Sequence, residues 1–182
     1  LLILLAKPFA RHGPPTADIF GLEAPFIFKI LNTEFSAIFN NEFIFDDQDM
    51  KIKSIEVQHQ PVEPAYGYEF LVKNKKVTYS GDTKYSKNLE NSSKNAEYLI
   101  HEVFVDLNFD DKRMTQDTLK NVKEYHSTPE DVGKLAQAAN VKNLVLNHFV
   151  PPVFDEEALR NEISKYYDGE IIIGSDLDIF NL

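Results

Sequence analysis

Three residues of types that bind metals each follow a short strand-like run of the sequence. His59 and His148 come directly after such runs, and Asp82 follows another through a Ser-Gly turn. Because strand ends gather along one edge of an α/β sheet, where ligands usually bind, these side chains are candidates for one site. Two imidazoles and a carboxylate suit Zn²⁺, iron or Mn²⁺. The same pattern also fits structural histidines and a turn aspartate, so both interpretations stay open on spacing alone.

The composition predicts a packed globular chain and restricts its partners. Of the 182 residues, 43% are hydrophobic and 14 are phenylalanine, enough for one domain with a substantial core. The formal net charge of −10 disfavours binding to nucleic acid. The basic run Lys73-Asn74-Lys75-Lys76 is expected to be a solvated hairpin tip. The sequence has no cysteine, so any metal must be held by His, Asp or Glu, and the redox compartment stays undetermined.

Residues 1–25 predict little regular structure after their first apolar run. Leu1–Ala6 is too short to span a membrane and is expected to be a buried helix or strand, with the end of a signal peptide as the alternative. Residues 8–25 are rich in proline and glycine and predict an irregular loop. The chain does not begin with methionine, so we expect the natural protein to extend further. Cytoplasmic and exported locations, and a homodimer, all stay open.

From residue 26 onward, strands come first and then alternate with helices, which indicates an α/β layered domain. Strands are predicted at 26–31, 35–39, 51–58, 66–72, 76–79, 98–103, 143–147, 170–174 and 177–180. Helices are predicted within 84–95 and 106–125, after Thr128, and at 156–167. The clearest helix start has Thr128 as N-cap, Pro129 in the first position and acidic residues in the first turn. Asn140 is expected to close that helix.

Five ordered segments resemble the metallo-β-lactamase-fold hydrolases, in the branch that contains ribonuclease Z and arylsulfatase-like enzymes. The segments cover residues 59–68, 79–83, 99–103, 126–133 and 144–149. The resemblance extends over about residues 50–182 and implies an αββα sandwich. Residues 1–182 are therefore expected to form a single domain of this type whose N-terminal part is missing.

The resemblance also implies a role for each candidate residue. Asp82 resembles the carboxylate that bridges two metals, and His59 and His148 resemble ligands of one metal each. His126 resembles the histidine near the scissile group, which stabilises the charged transition state or protonates the leaving group. Glu102 resembles a carboxylate that supports this site. The implied cofactors are two divalent metal ions, zinc first, with manganese or iron as alternatives.

Two further residues, Ser127 and Thr128, follow His126 and are expected to contact substrate.

One family feature is absent from this sequence. The His-x-His-x-Asp-His motif, which supplies most metal ligands in relatives, does not occur, and the earlier histidine His12 lies in a segment that resembles the loop after that motif. We therefore expect either a truncated chain or a naturally incomplete relative. Three ligands cannot hold two metals, although they could hold one with water completing its shell.

The expected activity is hydrolysis of a small ester, namely an aryl sulfate, phosphodiester or lactone, by metal-activated water. One alternative is a ribonuclease Z-like endonuclease that processes tRNA 3′ ends. The resemblance implies an extended substrate arm for such an enzyme, but only residues 60–81 separate His59 from Asp82, and they predict a hairpin. The other alternative is a degenerate, non-catalytic relative that acts as a binding or scaffold module.

Overall fold

The computed structural model describes residues 2–4, 43–46, 48–107 and 115–182. The strands predicted at 26–31 and 35–39, the loop predicted at 8–25 and His12 lie outside these ranges. The described strands are β1 (Leu2–Leu4), β2 (Phe43–Asp46), β3 (Met50–His59), β4 (Val62–Val72), β5 (Lys75–Tyr79), β6 (Tyr98–Phe104), β7 (Asn143–Val150), β8 (Glu170–Ile173) and β9 (Ile179–Asn181). The described helices are α1 (Lys87–Ser92), α2 (Gln116–Lys123), α3 (Pro129–Ala138) and α4 (Glu156–Ile163).

Strands β2 to β8 form one mixed sheet in sequence order, and β1 pairs separately with β9. Neighbours from β2 to β5 are antiparallel, whereas β5, β6, β7 and β8 are parallel to one another. Parallel neighbours require crossovers, which explains why the four helices of the described residues lie after β5 in the chain. Because β3 is antiparallel to β4 and β4 to β5, the carboxyl ends of β3, β5, β6 and β7 all face the same edge of the sheet.

The sheet separates two hydrophobic clusters. On one face, Leu89 of α1, Leu135 of α3 and Leu159 of α4 pack with sheet residues such as Leu99 and Leu144. On the other face, Ile52, Phe70, Ile100 and Val145 form a second cluster, and Phe180 of β9 packs against it. The described residues therefore contain a helical layer, a large sheet and a small sheet, which are three of the four layers of an αββα sandwich and confirm the α/β fold.

Most predicted elements are present, with shifted boundaries. Thr128 caps α3 through a capping box with Asp131, and Asn140 closes this helix with a positive φ of 53°, as predicted. Two positive-φ residues, Lys73 and Asn74, form the predicted hairpin tip between β4 and β5. The helix predicted at 156–167 was too long, since α4 ends at Ile163. In the described part of the chain, no helix is long and apolar enough to cross a membrane.

The strand predicted to end at Asn147 was also too short, because β7 continues to Val150. In the pairing of β6 with β7, Glu102 lies opposite Asn147 and Val103 lies opposite Phe149. His148 is therefore the extra residue of a β-bulge, and not the residue that follows the strand. A period-two pattern predicts a strand but not an inserted residue, whose position depends on the neighbouring strand.

The fully buried His101 makes the fold sensitive to acid. Its Nδ1 lies 2.6 Å from the carbonyl oxygen of Glu102, and its Nε2 is buried without a hydrogen-bond partner. Burial lowers the pKa of His101 from 6.5 to about 4, although the bonded carbonyl and Asp131 act in the opposite direction. The unfolded chain therefore holds a proton at His101 between these pH values while the folded chain does not, and stability falls as the pH falls through this window.

We expect the protonation of His101 to lower the free energy of unfolding by about 3 kcal/mol as the pH falls from 6.5 to 4. Urea unfolding of the wild type and of His101→Asn across this range measures the contribution. Asparagine is the matched replacement because its amide nitrogen can take the place of Nδ1. The wild type should lose stability more steeply than the variant as the pH falls, and parallel curves would show that His101 is not the cause.

Candidate metal and catalytic centre

The segment after β5 brings Asp82 to the carboxyl edge of the sheet. Gly81 has a φ of +60°, and a Cβ at this position would lie 2.5 Å from the carbonyl oxygen of Tyr66 in β4. Gly67 is equally restricted, because a Cβ there would lie 2.5 Å from the carbonyl oxygen of Tyr79. Two glycines thus allow β4 and the Ser80–Asp82 segment to pack backbone against backbone, which fixes where the Asp82 carboxylate stands.

Two histidines approach the same carboxylate oxygen of Asp82. The Nε2 atom of His148 lies 3.4 Å from Asp82 Oδ2, and the Nε2 atom of His59 lies 4.0 Å from it. The other ring nitrogen of His59, Nδ1, is 3.1 Å from the carbonyl oxygen of Tyr125. A carbonyl can only accept, so Nδ1 carries a proton, and Nε2 is the ring nitrogen that lies near Asp82. His59 is therefore held in the tautomer that can ligate a metal through Nε2.

His148 reaches this position from the bulge in β7. Its φ of 43° is unusual for a residue other than glycine. Such a conformation costs free energy and persists only where the surrounding structure imposes it, which occurs often at functional sites. Here the bulge places the His148 ring beside Asp82 and 5.8 Å, between ring centroids, from the ring of His126.

His126 and Glu102 form a buried pair next to these groups. His126 Nδ1 lies 3.1 Å from Glu102 Oε2, and the centroids of the His126 and His59 rings are 5.1 Å apart. The Glu102 side chain is 1% exposed, and its Oε1 accepts from the backbone N–H of Ser127 at 2.7 Å and of Thr83 at 3.4 Å. Burial raises the pKa of Glu102, while the bonds from His126 and Ser127 partly oppose that shift.

This arrangement leaves the other nitrogen of His126 free of the Glu102 bond. An imidazole that donates through Nδ1 to a carboxylate is fixed in orientation, and its Nε2 can accept or, when protonated, donate a proton. The ring lies close to those of both His59 and His148. The structure thus brings together five of the candidate residues, His59, Asp82, Glu102, His126 and His148.

The donor atoms suit a divalent metal ion, but the described set is incomplete. Ligand bonds of about 2.0–2.1 Å in a tetrahedral site separate neighbouring donor atoms by about 3.3 Å. The 3.4 Å separation of His148 and Asp82 fits this value, whereas the 4.0 Å separation of His59 and Asp82 is longer. In the part of the chain that the structure describes, no group of three or more His, Asp or Glu side chains is arranged so that it could hold a metal ion by itself. His59, Asp82 and His148 could therefore contribute ligands but cannot complete two metal sites.

Ser127 and Thr128, the residues expected to contact substrate, lie directly before α3. Ser127 is fully buried, and its hydroxyl donates to the carbonyl oxygen of Thr83 at 2.7 Å. Thr128 uses its hydroxyl in the capping box, with Asp131 Oδ2 at 2.7 Å. Both hydroxyls form hydrogen bonds within the protein, and the expected contact of these two residues with substrate stays a prediction.

Sequence reasoning missed two residues of the centre, Tyr125 and Thr83. Tyr125 orients His59 through a main-chain carbonyl, which no side-chain pattern can indicate, and its ring packs against those of His59 and His126 at centroid distances of 5.3 and 5.2 Å. Thr83 stands directly after Asp82 and bonds to several neighbouring segments. Its place in the Gly-Asp-Thr run was the one available signal.

The chain is similar in sequence to a known protein family and to several of its members. Residues 22–149 match the family model described as "Beta-lactamase superfamily domain". The ribonuclease Z of Mycobacterium tuberculosis is 28% identical over 136 residues, which cover 73% of this chain and 49% of that protein. The ribonuclease Z of Mycolicibacterium paratuberculosis is 28% identical over 137 residues, covering 74% of this chain and 48% of that protein. The chain spans about half the length of these curated relatives.

Solved structures share the fold at lower sequence identity. The metallo-β-lactamase fold protein YhfI from Bacillus subtilis has a TM-score of 0.61 and 23% identity, covering 75% of this chain and 51% of that one. The short form of human tRNase Z has a TM-score of 0.52 and 22% identity, covering 76% of this chain and 44% of that one.

Proposed function

This chain belongs to the β-lactamase superfamily domain family, and from that premise we propose that it carries part of the centre of a metal-dependent hydrolase that cleaves a small ester. The observation that carries the proposal is the approach of two histidine Nε2 atoms to one oxygen of Asp82, beside the buried His126–Glu102 pair. The two histidines near Asp82 and the His126–Glu102 pair are both needed for hydrolysis, since a metal-binding group and an acid–base group must act on the same bond.

In this proposal, His59, Asp82 and His148 contribute ligands to one or two divalent ions, zinc first and manganese or iron as alternatives. Such an ion lowers the pKa of a bound water and polarises the ester oxygen. The Tyr125 carbonyl keeps Nε2 of His59 available as a ligand atom. Asp82 would supply the carboxylate ligand common to both histidines, because its Oδ2 is the atom that both Nε2 atoms approach.

His126 acts on the substrate and Glu102 acts on His126. The Glu102 carboxylate accepts from Nδ1 and fixes the ring, so that Nε2 is the atom that meets the reacting group. With Nε2 protonated, the ring can stabilise negative charge in the transition state or supply a proton to the leaving group. The buried carboxylate then balances the positive charge on the ring.

Two observations support a small substrate. Residues 60–81 form little more than the β4–β5 hairpin and its turns, which leaves no room for an extended substrate arm between His59 and Asp82. The net charge of −10 also repels a polyanionic substrate over the Debye length of about 10 Å at 0.1 M salt. Aryl sulfates, aryl phosphodiesters and lactones are the classes that we propose.

A ribonuclease Z-like activity on tRNA is the second candidate, because the curated relatives carry that name. Electrostatics gives a direct means of separating the candidates. Cleavage of a precursor tRNA should fall steeply as salt rises, whereas hydrolysis of a small neutral lactone should change little.

The test is a substrate panel with the natural protein loaded with Zn²⁺ or Mn²⁺. The panel contains bis(4-nitrophenyl) phosphate, 4-nitrophenyl sulfate, an acyl lactone and a precursor tRNA with a 3′ trailer. Turnover of one of the three small esters, without tRNA cleavage, is the expected result. Trailer removal at comparable rates would establish the second candidate. Natural protein that binds no metal and turns over none of the four with Zn²⁺ or Mn²⁺ supplied would instead indicate a non-catalytic binding module.

A further inference from the structure

We propose that Thr83 is a positioning residue: its hydroxyl sets the separation of His59 from Asp82, and its main-chain groups link the Asp82 segment to the His126 segment. This inference rests on the proposed function, because it concerns the same site. Thr83 is fully buried, and it makes side-chain or main-chain hydrogen bonds to three separate segments of the chain. No part of it is placed to touch a substrate directly.

The first link joins the end of β3 to the Asp82 segment. The backbone N–H of Gln58 donates to Thr83 Oγ1 at 3.1 Å, and Oγ1 donates to the carbonyl oxygen of Lys84 at 2.7 Å. The backbone N–H of Lys84 donates in turn to the carbonyl oxygen of Gln58 at 3.0 Å. Because β4 lies between β3 and β5 in the sheet, no ladder hydrogen bonds join these two strands directly. The hydroxyl therefore supplies a connection that the sheet itself does not.

The second link runs from Thr83 to the His126 segment. Ser127 Oγ donates to the Thr83 carbonyl oxygen at 2.7 Å, and the Thr83 and Ser127 N–H groups both donate to Glu102 Oε1, at 3.4 and 2.7 Å. Glu102 then accepts from His126 through its other oxygen.

Each of these links involves a residue that is adjacent in sequence to a side chain of the proposed centre. Gln58 is adjacent in sequence to His59, Thr83 to Asp82, and Ser127 to His126. Each bonded group is therefore one residue away from a side chain of the proposed centre, so a small displacement at Thr83 reaches all three. His148 is held differently, by the bulge in β7. Loss of the hydroxyl should therefore change the His59–Asp82 geometry more than the His148–Asp82 geometry.

The decisive variant is Thr83→Val, which keeps the side-chain shape and removes the hydroxyl. In metal-free natural protein, amide hydrogen exchange should become faster at Gln58 and Lys84. Zinc affinity, measured by competition with a chelator, should fall by about tenfold or more, as is usual when groups that orient metal ligands are removed. Thr83→Ser keeps the hydroxyl and should restore both the exchange protection and most of the zinc affinity.

Thr78→Val is the matched control. Thr78 is also fully buried and lies on the adjoining strand β5, where its hydroxyl bonds to Ser93 Oγ at 2.9 Å and to no residue of the centre. It should lower the melting temperature without lowering zinc affinity. Equal losses of zinc affinity in Thr78→Val and Thr83→Val would reduce Thr83 to a general stabilising residue and overturn the proposal.

The exchange measurement separates this inference from the proposed function. Unchanged exchange at Gln58 and Lys84 in Thr83→Val refutes the positioning role, whether or not the protein binds zinc. Wild-type protein that binds no zinc refutes the metal centre, and with it any role of Thr83 in placing ligands. Faster exchange together with weaker zinc binding, both restored by serine, supports the inference.

Discussion

Replacing Asp82 with alanine is expected to abolish metal binding by the natural protein. Both histidine Nε2 atoms approach one oxygen of this side chain, so its removal takes away the carboxylate donor that lies near both histidines. Without the carboxylate, two neutral imidazoles also lack a negative charge to compensate a divalent ion. Elemental analysis after dialysis against limiting zinc should find bound metal in the wild type and close to none in Asp82→Ala.

Asp168→Ala is a suitable control for this prediction. Asp168 is exposed and its carboxylate bonds to Gln137, at the surface of the helical layer. Losing one acidic side chain there should leave the metal content unchanged. Full metal occupancy in Asp82→Ala would mean that Asp82 is a turn residue, and its proposed role as a metal ligand would have to be abandoned.

Replacing His126 with alanine is expected to reduce turnover by about 10²- to 10⁴-fold while metal content persists, the range typical for loss of a positioned acid–base group. His126 bonds to Glu102, and its ring centroid lies 5.1 Å from that of His59 and 5.8 Å from that of His148. Steady-state kinetics and elemental analysis of the same preparation test both parts. Loss of metal in His126→Ala would make it a ligand, and our assignment would be wrong.

The leaving group distinguishes the two roles that His126 could have. If His126 protonates the leaving group, the rate loss should be small for a 4-nitrophenyl ester and large for an unsubstituted phenyl ester, whose leaving group is more basic. If it only stabilises charge, both substrates should lose the same factor. Glu102→Gln keeps the shape of the side chain that bonds to His126 but removes its charge. It should lower the rate less than His126→Ala does, with the same dependence on the leaving group.

The sequence allowed good prediction of the elements but only partial prediction of the centre. The ends of β3 and β5 followed from period-two runs and a Gly-Asp-Thr turn, since those signals are local. The start of α3 was predicted well for the same reason, because a capping box is encoded within four residues. The sequence alone was therefore enough to assign His59 and Asp82 to one edge of the sheet.

The remaining features depend on parts of the chain that are distant in sequence. The bulge at His148 is defined by its pairing with β6, and the tautomer of His59 is set by the carbonyl of Tyr125. Ser127 is fully buried and donates to the Thr83 carbonyl oxygen, a contact between segments that are distant in sequence. Propensity and spacing carry no information on such contacts, so these roles emerge only from the folded arrangement.

The division of the sheet into an antiparallel and a parallel half has a consequence for the order of folding. Strands β3, β4 and β5 are joined by tight hairpins, so their contacts are close in sequence and can form early. The pairing of β6 with β7 joins Tyr98 to Asn143, which closes a long loop and is expected to be slow. An early intermediate would contain His59 and Asp82 without His148. The residues of the proposed centre would therefore come together only when β7 joins the sheet.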